Sequence, residues 1–438
     1  MKNESKFSSK LGFILSAVGS AVGMANVWGF PYKLQQGGGA AFLLIYLFFV
    51  VVFGYVALSA EFAVGRRAGT GTLGAYEAVW SERGFTTIGR FIGFLPLIGS
   101  FCIAIGYAVI ISYITKALFQ SLDGTLMNLN SEAWFGGFSS TAFSVVPFHL
   151  FIVVVTIFTC VKGASSIEKS NRIMMPAFFI LFLILAVRVA LIPGAFEGYK
   201  FMLQPDFSEA INVNTIVTAM GQAFFSLSVT GSGMIVCGAY LNRKEDIVSA
   251  SKQTALFDTI AAAVAAFVMV PATFAYGMEQ SAGPQLLFVV LPKILQEIPA
   301  GRLFAVILYV AVIFGGISSL QNMLEVVAES LMHRFTNLKR IPTLVVLGLL
   351  LFGIGIFMEP ISQWGPWMDF VSIYIIPIGA TIGAITWFWV MKKEDLLDEI
   401  NMGAARHYGT FWHNIGRFVY VPFAILICVI ALVFRIAF

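Results

Sequence analysis

The sequence predicts an all-α integral membrane protein. We expect about eleven transmembrane helices arranged as a 5+5 inverted repeat with helices 1 and 6 broken. Three observations carry this expectation. Of 438 residues, 58% are hydrophobic and only 11% charged, with 43 Phe, whereas a soluble domain carries about 25% charged residues. The apolar residues gather in stretches long enough to cross a bilayer, which takes about 20 residues each. Two of those stretches, five spans apart, are interrupted at mid-length by Gly and Ser.

This composition excludes a soluble enzyme, because a soluble fold of this length could not hide so much apolar surface. Disorder and nucleic-acid binding are excluded with it. Cys102, Cys160, Cys237 and Cys428 all sit in apolar stretches without a CxxC spacing or a neighbouring His, so they read as small buried hydrophobes and not as disulfide or metal partners. The net charge of +4 is too small to name an acidic partner.

In chain order, the spans read as 11–34, 40–64, 88–118, 147–163, 172–193, 215–240, 253–277, 302–332, 341–358, 366–391 and 415–437. Each must satisfy its own backbone in lipid and is therefore a helix. Lys2, Lys6 and Lys10 ahead of the first stretch mimic a signal peptide. The stretch is too long for one, holds Asn26 and runs to Pro31, so it is read as a span. The segment 284–300, with Pro284, Pro292 and Pro299, reads as an exterior loop with helical turns. No connection is large enough for a soluble domain. The chain is expected to be one membrane domain, with a first repeat over 11–193, a second over 215–391 and an extra helix over 415–437.

Orientation follows from the basic residues. With the N-terminus inside, all of the 27 Lys and Arg except Lys33, Lys116, Arg188, Lys200, Lys293, Arg302 and Arg435 fall on the cytoplasmic side. An odd number of spans puts the C-terminus outside. The expected location is the cell membrane, with the lipid bilayer as the surrounding partner.

Span 1 contains Gly12, Ser16, Gly19, Ser20, Gly23, Asn26, Gly29 and Pro31. Span 6 contains Ser226-Leu227-Ser228-Val229-Thr230-Gly231-Ser232-Gly233. Close packing through small residues is one reading. The sharper reading is that both helices break inside the membrane, leaving carbonyls and half-helix ends free for ions and a zwitterion. Paired broken helices in corresponding halves point to a secondary transporter site.

Gly19-Ser20-Ala21-Val22-Gly23-Met24-Ala25-Asn26-Val27-Trp28-Gly29-Phe30-Pro31-Tyr32 resembles the first-helix signature of the neurotransmitter:sodium symporter family. The likeness continues through Gly37-Gly38-Gly39-Ala40, Glu61-Phe62-Ala63-Val64-Gly65-Arg66, Lys162-Gly163, Ser166-Ile167-Glu168-Lys169, Met174-Met175-Pro176 and Gly221-Gln222-Ala223-Phe224-Phe225-Ser226-Leu227-Ser228. It covers about residues 5–390. It implies the leucine-transporter fold and Na⁺-driven uptake of amino acids or related small molecules.

The resemblance also implies sites. A first Na⁺ is expected at the Ala21 carbonyl, the Asn26 side chain, Ser226, the Asp258 side chain and a substrate carboxylate. A second is expected at the carbonyls of Gly19, Val22 and Gly315 and the hydroxyls of Ser318 and Ser319. Hydroxyls and unwound carbonyls suit a hard cation. The small-molecule pocket is implied around Ala21, Gly23, Met24, Ala25, Ile103, Tyr107, Phe224, Phe225, Ser226, Ser228, Gly231, Ser319, Asn322 and Met323. Tyr107 would meet a substrate carboxylate, and Phe225 would cover the site. Gly23 stands where monoamine carriers place an Asp, so the substrate is expected to bring its own acid group. Glu61, an intramembrane carboxylate, would brace the broken sixth helix. No organic cofactor is expected.

Four departures from the family pattern matter. Gly29 replaces the outer-gate Arg although its acidic partner remains as Asp369, so Lys33 substitutes or the gate closes without an ion pair. Glu4 stands near the usual basic position of the inner gate and His333-Arg334 near the usual acidic one, which reads either as a charge-swapped latch or as a solvated terminus, and Phe7 replaces a Trp. The sixth-helix break reads Thr230-Gly231-Ser232 in place of Gly-aromatic-Gly. Asp258 stands where Asn is usual. The positions of the family's chloride site are Tyr46, Gln222, Ser226, Asp258 and Ala262, and the Asp258 charge would make chloride unnecessary. Within transporters, H⁺ coupling is the alternative to Na⁺. A channel and an intramembrane enzyme are remote, since the sequence has no HExxH or Gly-x-Gly-Asp motif and the lone Gly-x-Ser-Gly-like run is Thr230-Gly231-Ser232-Gly233.

Overall fold

A computed structural model describes residues 6–204, 212–278 and 283–436. In chain order its helices are α1 (Lys10–Ala21), α2 (Ala25–Gln36), α3 (Ala40–Ala68), α4 (Thr72–Ser81), α5 (Thr86–Asp123), α6 (Ser131–Ser139), α7 (Val146–Cys160), α8 (Ala164–Ala190) and α9 (Ala195–Leu203). After these come α10 (Val213–Ser226), α11 (Gly233–Ala239), α12 (Ile247–Ala275), α13 (Leu291–Glu297), α14 (Gly301–Arg334), α15 (Arg340–Met358), α16 (Ile361–Val390), α17 (Lys393–Asn401) and α18 (Thr410–Phe434).

Among the described residues, eight helices are long and apolar enough to cross a membrane, or nine when the bent pair α1–α2 is taken as one span. The eleven expected spans are reached only by adding α7, of 15 residues, and the pair α10–α11, of 14 and 7 residues. These fall short on their own, α10–α11 because the chain between them is not helical. Large apolar side chains such as Phe158, Leu349 and Val433 are exposed on the outside of the bundle, where lipid and not water is the solvent.

Helix ends differ from the sequence reading mainly on the charged side. The fifth span begins at Ala164, so Glu168, Lys169 and Arg172 lie in its first turns and not in a loop. Gly163, at φ +62, supplies the left-handed residue that separates it from α7. The 284–300 segment is helical over Leu286–Glu297, and Phe288 packs on Phe135 and Phe138 of α6.

The two breaks sit at the centre. At Val22 the chain turns extended, with ψ 112, and α2 leaves at 60° to α1. Between α10 and α11, Ser228 has φ +53 and Gly231 φ +75. A Cβ on Gly231 would stand 2.6 Å from the Gly379 carbonyl and 2.8 Å from the Tyr76 hydroxyl. Backbone conformation and close approach therefore both require glycine there. Helix α14 packs against α5, α8 and α1, and α8 packs against α1, which forms the frame around the breaks.

Candidate functional site

Glu61 of α3 reaches the second break. Its carboxylate accepts the Gly231 N–H at 2.7 Å and the Met234 N–H at 3.3 Å. Those amides are orphaned because α11 is only beginning, and the carboxylate satisfies them without a loop turn. It is buried, with 1% of its surface exposed.

One polar cluster joins α2, α10 and α12. Asn26 Nδ2 donates to Asp258 Oδ1 at 2.8 Å, and lies 3.2 Å from both the Asp258 carbonyl and Ser226 Oγ. The Ser226 hydroxyl donates to Asp258 Oδ2 at 2.7 Å. Asn26 Oδ1 accepts the Gly23 N–H at 3.0 Å, which ties the cluster to the first break. All three side chains are fully buried. Next to them, the buried Tyr46 hydroxyl has no hydrogen-bond partner among the described residues, and Gln222 donates to the Ala25 carbonyl at 3.1 Å. Ala262 is buried on the following turn of α12.

A second cluster closes the end of α1. The last turn of a helix leaves carbonyls without partners. Here the Ser319 hydroxyl lies 2.8 Å from the Val22 carbonyl, 3.2 Å from that of Gly19 and 3.4 Å from that of Ser20. Ser318, its neighbour on α14, donates to the Gly315 carbonyl at 2.8 Å. These are six neutral oxygen-bearing groups, from α14 and the end of α1. No group of three or more His, Cys, Asp or Glu suited to a transition metal occurs among the described residues.

Between the breaks lies a cavity of about 50 Å³. Of the residues expected around a small molecule, Ala21, Ala25, Ile103, Tyr107, Phe225, Ser228, Asn322 and Met323 line it. The others stand behind its wall. Phe224 turns away onto Phe53 and Tyr420. Ser226 and Ser319 face the two clusters just described. Gly231 faces Gly379 and Tyr76, and Met24 packs towards Gly316. Gly23 offers no side chain, and a Cβ there would lie 3.1 Å from the Tyr107 hydroxyl and 2.8 Å from Ser319 Oγ. Ser20, Ser100, Gly233 and Ile376 line the cavity too, with Thr230 of the break. Ser100 carried a signal that the sequence reading passed over: it is a serine in an apolar helix, two turns before Tyr107.

The expected outer gate has no ion pair among the described residues. Lys33 and Asp369 are in no salt bridge among the described residues, and Asp369 is exposed. At the expected inner gate, Arg334 pairs with Glu77 at 2.8 Å, and Glu4 lies outside the described residues. Phe7 packs edge-on against Phe13 and Tyr240, and its N–H donates to the Tyr240 carbonyl at 3.2 Å. The Tyr240 hydroxyl donates to Glu325, which also pairs with Arg340. The sequence reading missed this partly buried triad because Tyr240 lies far from Glu325 and Arg340 in the chain.

The profile of the sodium:neurotransmitter symporter family matches residues 4–136 and 135–437. The chain belongs to that family. It is 32% identical to the sodium-dependent transporter YhdH of Bacillus subtilis, over 99% of this chain and 98% of that one. A sodium- and chloride-dependent GABA transporter of Drosophila melanogaster is 25% identical, over 75% of this chain and 39% of its own length. The crystal structure of MhsT in complex with L-phenylalanine superposes with a TM-score of 0.86 and 29% identity, covering 98% of this chain and 99% of that one. The symporter is thus a sodium-dependent, multi-pass membrane transporter of the leucine-transporter fold, and not an enzyme.

Proposed function

We propose that this symporter imports a small amino acid or amino-acid-like zwitterion by alternating access, coupled to two Na⁺ and independent of chloride. The reading includes a cytoplasmic N-terminus, an exterior C-terminus and two repeats over 11–193 and 215–391. The observation that carries it is the Asn26–Ser226–Asp258 cluster, buried between both helix breaks and beside a cavity.

The first Na⁺ would be held there, with the Asp258 carboxylate balancing its charge. A negative group already touching the ion removes the need for a second anion and repels chloride. The second Na⁺ would lie among the Gly19, Val22 and Gly315 carbonyls and the Ser318 and Ser319 hydroxyls, held by oxygen dipoles at the C-terminal end of α1. Tyr107 and the amides of the α1–α2 break would orient the substrate carboxylate. Its ammonium would lie against break carbonyls and Ser228. Glu61 would keep α10 and α11 in register as the site opens to either side.

Asp258 also supports a second reading. A buried carboxylate of this kind could carry H⁺ in place of Na⁺. Uptake into proteoliposomes separates the two. An inward Na⁺ gradient at equal pH drives accumulation under the first reading, and only a pH gradient does so under the second.

A further inference from the structure

We propose that the deep end of the cavity is a subsite for a neutral, hydrogen-bonding side chain. The substrate is then an amino acid of hydroxyl or carboxamide type, preferred over aliphatic and aromatic ones. This rests on the reading that the site takes an amino acid, and adds the chemistry of its side chain.

Tyr107 and the first break mark one end of the cavity. Ser100 lies seven residues earlier on α5, about 10 Å along the helix. There Ser100 Oγ is 2.6 Å from Ser232 Oγ, which is 3.2 Å from Thr230 Oγ1. Three hydroxyls carry three O–H donors. The two contacts between them use two. Thr230 also accepts the Gly233 N–H at 3.4 Å, which uses an acceptor and no donor. One O–H is left over, and it belongs to a chain whose two ends, Ser100 and Thr230, both line the cavity.

Asn322 adds an acceptor. Its Nδ2 is engaged by Ser20 Oγ and the Gly233 carbonyl, while its Oδ1 receives only a weak Cys237 thiol contact at 3.4 Å. The deep wall thus offers both a donor and acceptors. A hydroxyl or a carboxamide answers both, and an aliphatic group answers neither.

Charge narrows the class further. No charged side chain lines the cavity among the described residues. Glu61 stands behind Gly231 with its oxygens committed to two amides. An acidic or basic side chain would be buried without a counter-charge, which is costly. Size sets a separate limit: about 50 Å³ admits only a few water-sized groups, at roughly 10–15 Å³ each, which disfavours a bulky side chain. A site built to hydrogen-bond a hydroxyl rejects the isostere that lacks it far better than an apolar pocket rejects an added hydroxyl.

The test is calorimetric titration of the full-length protein with L-threonine and L-valine, then L-asparagine, L-leucine and L-phenylalanine, in Na⁺ and in K⁺ buffer. Threonine is expected to bind at least about tenfold tighter than valine, which corresponds to ~1.4 kcal/mol. In a Ser100→Ala, Thr230→Val variant the ratio should fall to within about threefold, with valine binding retained as proof of folding. Valine, leucine or phenylalanine binding as tightly as the polar ligands in Na⁺ would overturn this inference and leave the amino-acid reading standing. Absence of Na⁺-dependent binding by all five would overturn both.

Discussion

The Ser226 hydroxyl lies 2.7 Å from Asp258 Oδ2, inside the membrane, and both side chains are fully buried. With Asn26 on the other carboxyl oxygen at 2.8 Å, two neutral donors hold one buried carboxyl group. Such hydrogen bonds are the stronger kind when the acceptor is ionised. They fix the carboxylate where α2, α10 and α12 meet.

Asp258→Asn keeps the shape and removes the charge. Na⁺ affinity should weaken by about tenfold, or ~1.4 kcal/mol, and added chloride should restore part of it. Na⁺ titrations of thermal stability in chloride and in gluconate give both numbers. An unchanged Na⁺ affinity would remove Asp258 from the ion site.

Ser319→Ala leaves the Gly19, Ser20 and Val22 carbonyls without the hydroxyl that now answers them. If a second ion sits there, Na⁺ dependence of uptake should shift to higher concentration and lose sigmoidicity. A sigmoidal curve identical to that of the unmodified protein would argue against the site.

Glu61→Gln replaces one acceptor by a donor facing the Gly231 or Met234 N–H. One buried amide then loses its partner, a cost of about 1–3 kcal/mol. A lowered melting temperature is expected, together with reduced uptake. Gln at full stability would mean that the break holds without a carboxylate.

Gly231→Ala meets the Gly379 carbonyl at 2.6 Å and a positive φ at once. Backbone strain of this kind costs of order 1–3 kcal/mol, and the overlap adds to it. The variant should be less stable than Gly233→Ala, whose Cβ finds nothing nearer than 3.5 Å. Equal melting temperatures would contradict the account of the break.

Both helix breaks were legible in the sequence because runs of helix-weakening residues stand out in a lipid-spanning segment. Gly19, Gly23, Ser228 and Gly231 announced both breaks. The side-chain directions were not legible. Phe224 and Phe225 are adjacent, yet one packs on Tyr420 and the other lines the cavity, and which of them faces inward depends on how α10 is rotated against its neighbours. Ser100 and the Tyr240–Glu325–Arg340 triad depend on contacts between distant helices, which local pattern does not encode. The expectation of a possible Lys33–Asp369 gate pair rested on sequence position alone, and the structure forms no salt bridge there.

That outer gate gives a fifth test. A double-mutant cycle between Lys33 and Asp369 on transport should show coupling below about 0.5 kcal/mol, as for independent sites. Asp369→Asn should then be mild. A larger coupling would place an ion pair in the closed gate.

The central claim is Na⁺-coupled transport without chloride. It is tested most directly by uptake of a mixture of labelled L-amino acids into proteoliposomes under an inward Na⁺ gradient, with chloride replaced by gluconate on both sides. The account predicts concentrative uptake that requires Na⁺ and keeps the same rate in gluconate. Uptake that collapses without chloride, or that proceeds without Na⁺, would contradict it.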